Sequence, residues 1–253
     1  MAQYSKFSEN RKTALVRDEW RLELAAALLD GTGCAPAGKT GRGEVARFEF
    51  TGGTGIVRKC RRGGIIRHFI KDAYLFSNRP LRELMVHEYL YEQGFAVPEP
   101  LGVAWERRGL VFRGSIATRE VEGVNLLDYL GGAPESPEFT LERTGKLIRE
   151  MHDLGVVHAD LQVRNILIGP VHPYIIDFDK AQRRTTVSHT QRVRNLLRLR
   201  RSFDKNFIPL RFFTLICHGY GLDSVPWLLD FLYDTKGVVS DAVAGRAGSH
   251  DPT

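Results

Sequence analysis

Apolar and polar positions alternate cleanly from residue 45 to residue 50, with Ala46, Phe48 and Phe50 on one side and Val45, Arg47 and Glu49 on the other. A period of two predicts a half-buried strand. Thr51 to Gly55 is a turn signal and Ile56 to Cys60 a second apolar run, so the pair reads as a hairpin. Upstream, residues 14–29 are rich in Ala, Leu and Glu and predict a helix, followed by a glycine-rich loop over 31–43. Downstream, residues 80–93 predict a helix that Pro80 opens and Gly94 ends. Pro98 to Pro100 is extended, Val111 to Val121 strand-rich, Asn125 to Leu130 a helix start, 131–138 a loop and 140–154 a helix. From about residue 190 the pattern is helical. Strands thus dominate the first half and helices the second, the order of an α+β chain with two lobes. The N-lobe is expected at 1–118, the C-lobe at 119–236, and a polar, disordered tail at 237–253.

Composition changes this picture little. A hydrophobic content of 43% over 253 residues is enough to bury a core. The formal net charge of +6 favours acidic partners, whether phosphates, nucleic acid or an anionic membrane face. Cys34, Cys60 and Cys217 stand far apart with no CxxC pair, which predicts buried, reduced thiols rather than a zinc site or a disulfide framework. The first twenty residues lack the apolar stretch of a signal peptide, and no apolar run is long enough to span a membrane. Phe207 to Cys217 is apolar but interrupted by Pro209 and Arg211, and predicts a buried helix.

Chemistry concentrates in His158-Ala-Asp160-Leu-Gln-Val-Arg-Asn165 and in Tyr-Ile-Ile-Asp177-Phe-Asp179. Ile166–Ile168 and Tyr174–Ile176 are short apolar strands around a Gly169–Pro173 turn. If they pair antiparallel, Asn165 enters and Asp177 leaves at the same end of the hairpin, with Asp160 on the loop just before. An amide oxygen and a carboxylate converging on one point suit Mg²⁺, which takes few protein ligands and leaves its other positions to water and phosphate. A third carboxylate that avoids the metal can accept a hydroxyl proton. Phosphoryl transfer needs little beyond positioning, charge neutralisation and a base.

These segments resemble the catalytic loop H-R-D-x-x-x-x-N and the D-F-G of the protein kinase superfamily. The resemblance implies Asp160 as catalytic base, Asn165 and Asp177 as Mg²⁺ ligands, and a structural His158. Ala159 replaces the arginine with which regulated kinases sense a phosphorylated activation loop, and Asp179 replaces the glycine of D-F-G. Ala133-Pro134-Glu135 precedes the catalytic loop and so cannot close an activation segment. These departures favour a constitutive small-molecule kinase. Gly41-Arg42-Gly43-Glu44-Val45-Ala46 stands where the nucleotide lid belongs. Ile56-Val57-Arg58-Lys59 fills the V-A-I-K slot, with Arg58 favoured on the ATP phosphates and Lys59, which points to the other face, as the alternative. Glu83 is the expected ion-pair partner in the following helix and Glu88 its competitor. Thr118-Arg119-Glu120 is the expected hinge, with Glu120 presenting backbone to adenine.

A closer resemblance is to 3-deoxy-D-manno-octulosonic acid (Kdo) kinases. It rests on Gly41-Arg42-Gly43, Arg61-Arg62-Gly63-Gly64, Lys71-Asp72 with Tyr74 and Phe76, Val97-Pro98-Glu99-Pro100, the two catalytic segments, and the stretch from Asn195 to Lys205. It implies ATP-dependent phosphorylation of the Kdo 4-hydroxyl on a lipid A precursor, at the cytoplasmic face of a bacterial inner membrane. Arg192, Arg194, Arg198, Arg200 and Arg201 in one predicted helix suit an acceptor carrying carboxylate and phosphates, and an anionic membrane surface. A nucleic-acid partner is not expected on this reading; the alternative within the fold is another small-molecule or lipopolysaccharide-sugar kinase, and a basic nucleic-acid binder and a kinase-like module without catalysis are the rivals from other classes. Gly33-Cys-Ala-Pro-Ala-Gly38-Lys39-Thr40 matches the P-loop pattern letter for letter. It follows a helical run and precedes a strand, the reverse of what a phosphate-cradling loop requires.

Overall fold

The computed structural model describes residues 3–40, 43–60, 79–108 and 111–222. The first part of the chain forms β1 (Tyr4–Glu9), β2 (Lys12–Arg17), α1 (Arg21–Leu29), β3 (Ala35–Thr40), β4 (Gly43–Phe50), β5 (Gly53–Cys60), α2 (Arg79–Glu92), β6 (Pro100–Arg108) and β7 (Val111–Arg119). The second forms β8 (Val124–Asn125), α3 (Leu126–Gly131), α4 (Glu138–Asp153), β9 (Val156–Val157), β10 (Ile166–Ile168), β11 (Pro173–Ile175), β12 (Gln182–Arg183), α5 (His189–Lys205) and α6 (Leu210–Tyr220).

The seven long strands make one sheet in the order β1-β2-β6-β7-β5-β4-β3, with every neighbouring pair antiparallel. Period-two alternation gives it two apolar faces. Ala14, Val16, Phe48, Phe50, Val57 and Ala117 pack with α1 residues Leu24 and Leu28 on one face. Val103 and Ile116 pack with Leu84 of α2 on the other. A third core joins α3, α4, α5 and α6 to the short hairpins and to Leu90, Phe95 and Val97 at the end of α2.

Two expectations fail in the sheet. Residues 14–29 are not one helix, because Lys12–Arg17 is a strand and the helix starts only at Arg21. Ala14 and Val16 are fully buried while Thr13 and Leu15 are half-buried, a period of two that the Ala/Leu/Glu content of the later residues masks. The supposed loop at 31–43 contains edge strand β3, whose ladder with β4 shifts register between Pro36 and Lys39. Proline and a register break are what an edge tolerates. The P-loop look-alike runs from the end of α1 into this strand and opens no helix. Cys34 is half-exposed and Cys217 buried. Gly41, Arg42, the segment carrying Arg61, Arg62 and Lys71, and the tail at 237–253 lie outside the described residues.

In the helical part, α4 and α6 cross at glycine. A Cβ on Gly145 would overlap the carbonyl oxygen of Ile216, and one on Gly219 that of Glu142. Helix α5 opens on a capping box, Ser188 Oγ accepting from Gln191 N while Gln191 Oε1 accepts from Ser188 N at 3.0 Å. Among the described residues no helix is long and apolar enough to cross a membrane.

Candidate active site

The hairpin of β10 and β11 sets the geometry. Ile166 pairs with Ile175 and Ile168 with Pro173, and just outside the ladder Ile176 N donates to Asn165 O at 3.0 Å. Asn165 and Asp177 therefore emerge at one end of the hairpin, as their spacing predicted. The amide nitrogen of Asn165 donates to Asp160 O at 2.8 Å, which turns its side-chain oxygen away from the loop and leaves it as an acceptor. Asp177 has a φ of 67°, a left-handed conformation that a non-glycine residue adopts only under local constraint. Its Oδ1 is buried and takes no hydrogen bond among the described residues, although Arg58 Nη2 stands 3.0 Å away. The two groups form an ion pair whose angle, not its distance, falls outside hydrogen-bond geometry.

Arg58 reaches the site because of strand register. On β5, Val57 faces the α1 side of the sheet, so Arg58 faces the α2 side and Lys59 returns to the α1 side, where it is exposed. From there the Arg58 guanidinium pairs with Glu83 of α2 and with Asp177. The competitor Glu88 is committed elsewhere: it accepts from Tyr4 Oη at 2.5 Å and pairs with Arg17 at 3.2 Å. Burial pushes the Glu83 carboxyl up from an ordinary 4.5 to about 7, against the opposing pull of Arg58 and reinforced by the charges of Asp177 and Asp179. Asp179, in the place of the D-F-G glycine, is ion-paired with Arg79 at the first turn of α2. Helix α2 is thus tied to the Asp177 segment at two points.

The catalytic loop is held from beneath. His158 is fully buried; its Nε2 faces Ile176 O at 3.0 Å and its Nδ1 accepts from Asp160 N at 3.1 Å, an arrangement only the neutral Nε2–H tautomer satisfies. Burial lowers its pKa accordingly. Phe178, 1% exposed, lies between His158 and His87 of α2, with ring centroids 5.1 and 5.5 Å apart. Asn195 of α5 clamps the loop backbone: its Oδ1 accepts from His158 N at 3.2 Å and its Nδ2 donates to His158 O at 2.6 Å. The same Oδ1 lies 2.9 Å from His152 Nε2, and His152 Nδ1 lies 2.9 Å from Tyr220 Oη. One helical repeat on, Ser202 Oγ accepts from Val163 N at 3.1 Å. Reading the sequence for reacting groups passes over Asn195 and Ser202. Their signal is two polar residues at i and i+7 on the helix face otherwise formed by Leu196, Leu199 and Phe203.

Asp160 stands exposed at the mouth of the loop, its Oδ2 accepting from Gln162 Nε2 at 2.9 Å. Gly43 opens β4 opposite Thr40, so the described part of the expected lid is a hairpin tip feeding the strand next to β5. At the expected hinge, the Glu120 N–H goes to Thr54 O at 2.9 Å and its carboxylate to Arg47. The cause is the sheet, since β7 runs beside β5 right up to this residue. A cavity of about 410 Å³ is lined by Tyr91, Glu99, Glu120, Glu122 and Tyr174 among others, and Glu83, Asp160, Asp177 and Asp179 do not border it.

The donor set fits a magnesium ion. It offers one buried carboxylate oxygen without a hydrogen bond and one amide oxygen whose orientation is fixed. Among the described residues no group of three or more His, Cys, Asp and Glu side chains gathers as a cage, and an ion held mostly by phosphate and water needs none.

Residues 37–219 match the family described as lipopolysaccharide kinase (Kdo/WaaP). The 3-deoxy-D-manno-octulosonic acid kinase of Vibrio cholerae serotype O1 is 33% identical over 172 residues, which are 66% of this chain and 72% of that protein. The enzyme of the same name from Stenotrophomonas maltophilia is 34% identical over 207 residues, 76% of this chain and 80% of that protein. The solved structure of WaaP in complex with acyl carrier protein shares the protein-kinase-like α+β fold at a TM-score of 0.55 and 19% identity, covering 87% of this chain and 91% of that one. By its sequence, the chain belongs to the lipopolysaccharide kinase (Kdo/WaaP) family.

Proposed function

We propose that the chain transfers the γ-phosphoryl group of ATP to the 4-hydroxyl of Kdo on a lipid A precursor, a step of lipopolysaccharide inner-core assembly. The observation that carries this is the convergence of Asp160, Asn165 and Asp177 around one hairpin, with the Arg58–Glu83 pair beside it. Relatives named as Kdo kinases support the acceptor.

In this reading Asp160 accepts the proton of the attacking hydroxyl, from a loop that His158 and Asn195 hold in place. Asn165 and Asp177 hold Mg²⁺, which when bound neutralises phosphate charge. Arg58, oriented by Glu83, binds the phosphates; a guanidinium does so with a planar fork where a lysine offers a point charge. Gly41, Arg42 and Gly43 cover the phosphates. With its N–H engaged by Thr54, Glu120 is left with its carbonyl for adenine. The acceptor is lipid-borne, so the enzyme works at the cytoplasmic face of the inner membrane.

The test is transfer of labelled phosphate from Mg-ATP to Kdo-lipid IVA by the purified protein, with Asp160→Asn as control. Incorporation by the wild type alone is expected. Clear Mg-ATP binding with no incorporation would reject Kdo as the acceptor, and absence of nucleotide binding by the folded protein would reject the kinase reading itself.

A further inference from the structure

The end of α5 carries a residue that its own fold does not explain. Ile208 N donates to Phe203 O and Phe207 N to Asp204 O, both at 3.0 Å, while Ile208 packs in the same core as Phe203. This is the Schellman arrangement that closes a helix, and its left-handed position normally falls to glycine or asparagine. Here that position is Phe207, with a φ of 55°. A large side chain is disfavoured in this conformation. Packing does not compensate, because Phe207 is 94% exposed. An aromatic ring held in a disfavoured conformation and directed into solvent gains nothing from the described residues, and its return is a contact outside the fold.

The surroundings specify the partner. Arg194, Arg198, Arg201 and Lys205 are all exposed and recur at i, i+4, i+7 and i+11, which sets them in one stripe along α5 that ends at Phe207. The one carboxylate of α5, Asp204, is taken by Arg200. Past the corner, Leu210 is 40% exposed and Arg211 exposed. The stripe also borders the catalytic loop, since α5 clamps that loop through Asn195 and Ser202, about a quarter-turn round from the stripe. An apolar wedge with a row of cations behind it matches the layering of an anionic bilayer, headgroup phosphate above acyl chain.

We propose that the α5–α6 corner docks on an anionic lipid bilayer, with Phe207 and Leu210 entering the interface and the basic stripe and Arg211 on lipid phosphates. The proposal deepens the function given above and rests on it for its purpose: a catalytic loop beside the docked helix meets a lipid-borne sugar at the surface where that sugar lies.

The experiment is sedimentation of the full chain with phosphatidylcholine vesicles, with and without phosphatidylglycerol. Wild type is compared with Phe207→Gly and with the double variant Arg201→Glu/Lys205→Glu. Phe207→Gly keeps the helix ending, so its unfolding midpoint stays or rises. Binding to the anionic vesicles is expected to fall about tenfold or more in Phe207→Gly, from the lost apolar burial. It should also fall in the double variant and with added salt. Phosphorylation of a deacylated, water-soluble Kdo acceptor should be unchanged in Phe207→Gly. Failure of the wild type to bind anionic vesicles at low ionic strength overturns the proposal, as does equal binding by Phe207→Gly. Phe207-dependent vesicle binding by a protein that phosphorylates no Kdo acceptor would uphold the surface and reject the kinase reading instead.

Discussion

Arg58 Nη2 lies 3.0 Å from Asp177 Oδ1, a buried carboxylate oxygen that takes no hydrogen bond among the described residues. One guanidinium therefore serves two carboxylates, Glu83 behind it and Asp177 before it. Asp177→Asn removes the charge of the proposed metal ligand while leaving its shape. We expect the Mg²⁺ concentration that half-saturates nucleotide binding to rise roughly tenfold or more, in line with losses seen at metal-site residues. A magnesium titration of nucleotide binding is the check, and an unchanged metal dependence would remove Asp177 from the site.

Asp160 differs from Asp177 in standing exposed at the loop mouth, anchored through its backbone N–H to His158. A base that touches only the acceptor hydroxyl should matter for turnover and not for nucleotide affinity. Asp160→Asn is expected to lower kcat by about 10²–10⁴-fold, the usual worth of a positioned general base, with Mg-ATP binding nearly intact. Weaker ATP binding with turnover retained would contradict that role.

The catalytic segments were legible because their chemistry needs particular oxygens at short, local spacings. Asp160, Asn165 and Asp177 lie within one loop and one hairpin, and Arg58 was favoured over Lys59 by its place in the V-A-I-K slot. What escaped depends on partners distant in sequence. Asn195 is 37 residues from the His158 it clamps, and Arg79 is 100 residues from Asp179. The Glu120 N–H is claimed by Thr54 through a sheet register that no local pattern reveals. Strand β2 was hidden for a different reason, since its alternation is only six residues long and abuts a run rich in helix formers.

Asn195 allows a sharper test than truncation alone. Its amide both accepts from His158 N and donates to His158 O, so no other side chain of that size serves both. Asn195→Ala leaves two buried backbone groups unpaired and should destabilise by about 2–4 kcal/mol. Asn195→Asp should do no better, because its second oxygen would face the His158 carbonyl. In both variants kcat should fall while the KM for ATP holds. Restoration of stability by aspartate would show that the donor half of the clamp is dispensable.

Glu83 predicts a pH dependence with a definite sign. Its folded pKa of about 7 exceeds the ordinary 4.5, so between these values the folded protein keeps a proton that the unfolded chain has lost. The contribution of Glu83 is then fully present below about pH 4.5, declines as pH rises, and is gone above about pH 7; it amounts to about 3 kcal/mol at most. The buried His87, held down to about 4, pushes the other way over an overlapping range. The informative quantity is therefore the stability of the wild type minus that of Glu83→Gln, from denaturant unfolding at several pH values. It should fall from about pH 4.5 to about 7 and level off beyond, and a flat difference would mean that Glu83 ionises normally.

The crossing of α4 and α6 leads to the last prediction. Alanine improves on glycine in a helix by about 1 kcal/mol, so propensity alone predicts that Gly145→Ala and Gly219→Ala stabilise. Here the added Cβ would meet backbone, the Ile216 carbonyl in one case and the Glu142 carbonyl in the other. Backbone cannot rotate aside as a side chain can, so the helices must separate. Separation strains the contact between His152 on α4 and Tyr220 on α6, which backs Asn195 and hence the catalytic loop. The clash should outweigh propensity, with a net loss of about 1–3 kcal/mol for either variant and a lower kcat. Gly131→Ala is the control, because nothing lies within 4 Å of its added Cβ at the end of α3. It should be neutral or gain up to about 1 kcal/mol. Thermal unfolding of the three variants side by side decides the matter: a gain at Gly145 or Gly219 equal to that at Gly131 would mean that the two helices do not touch at glycine.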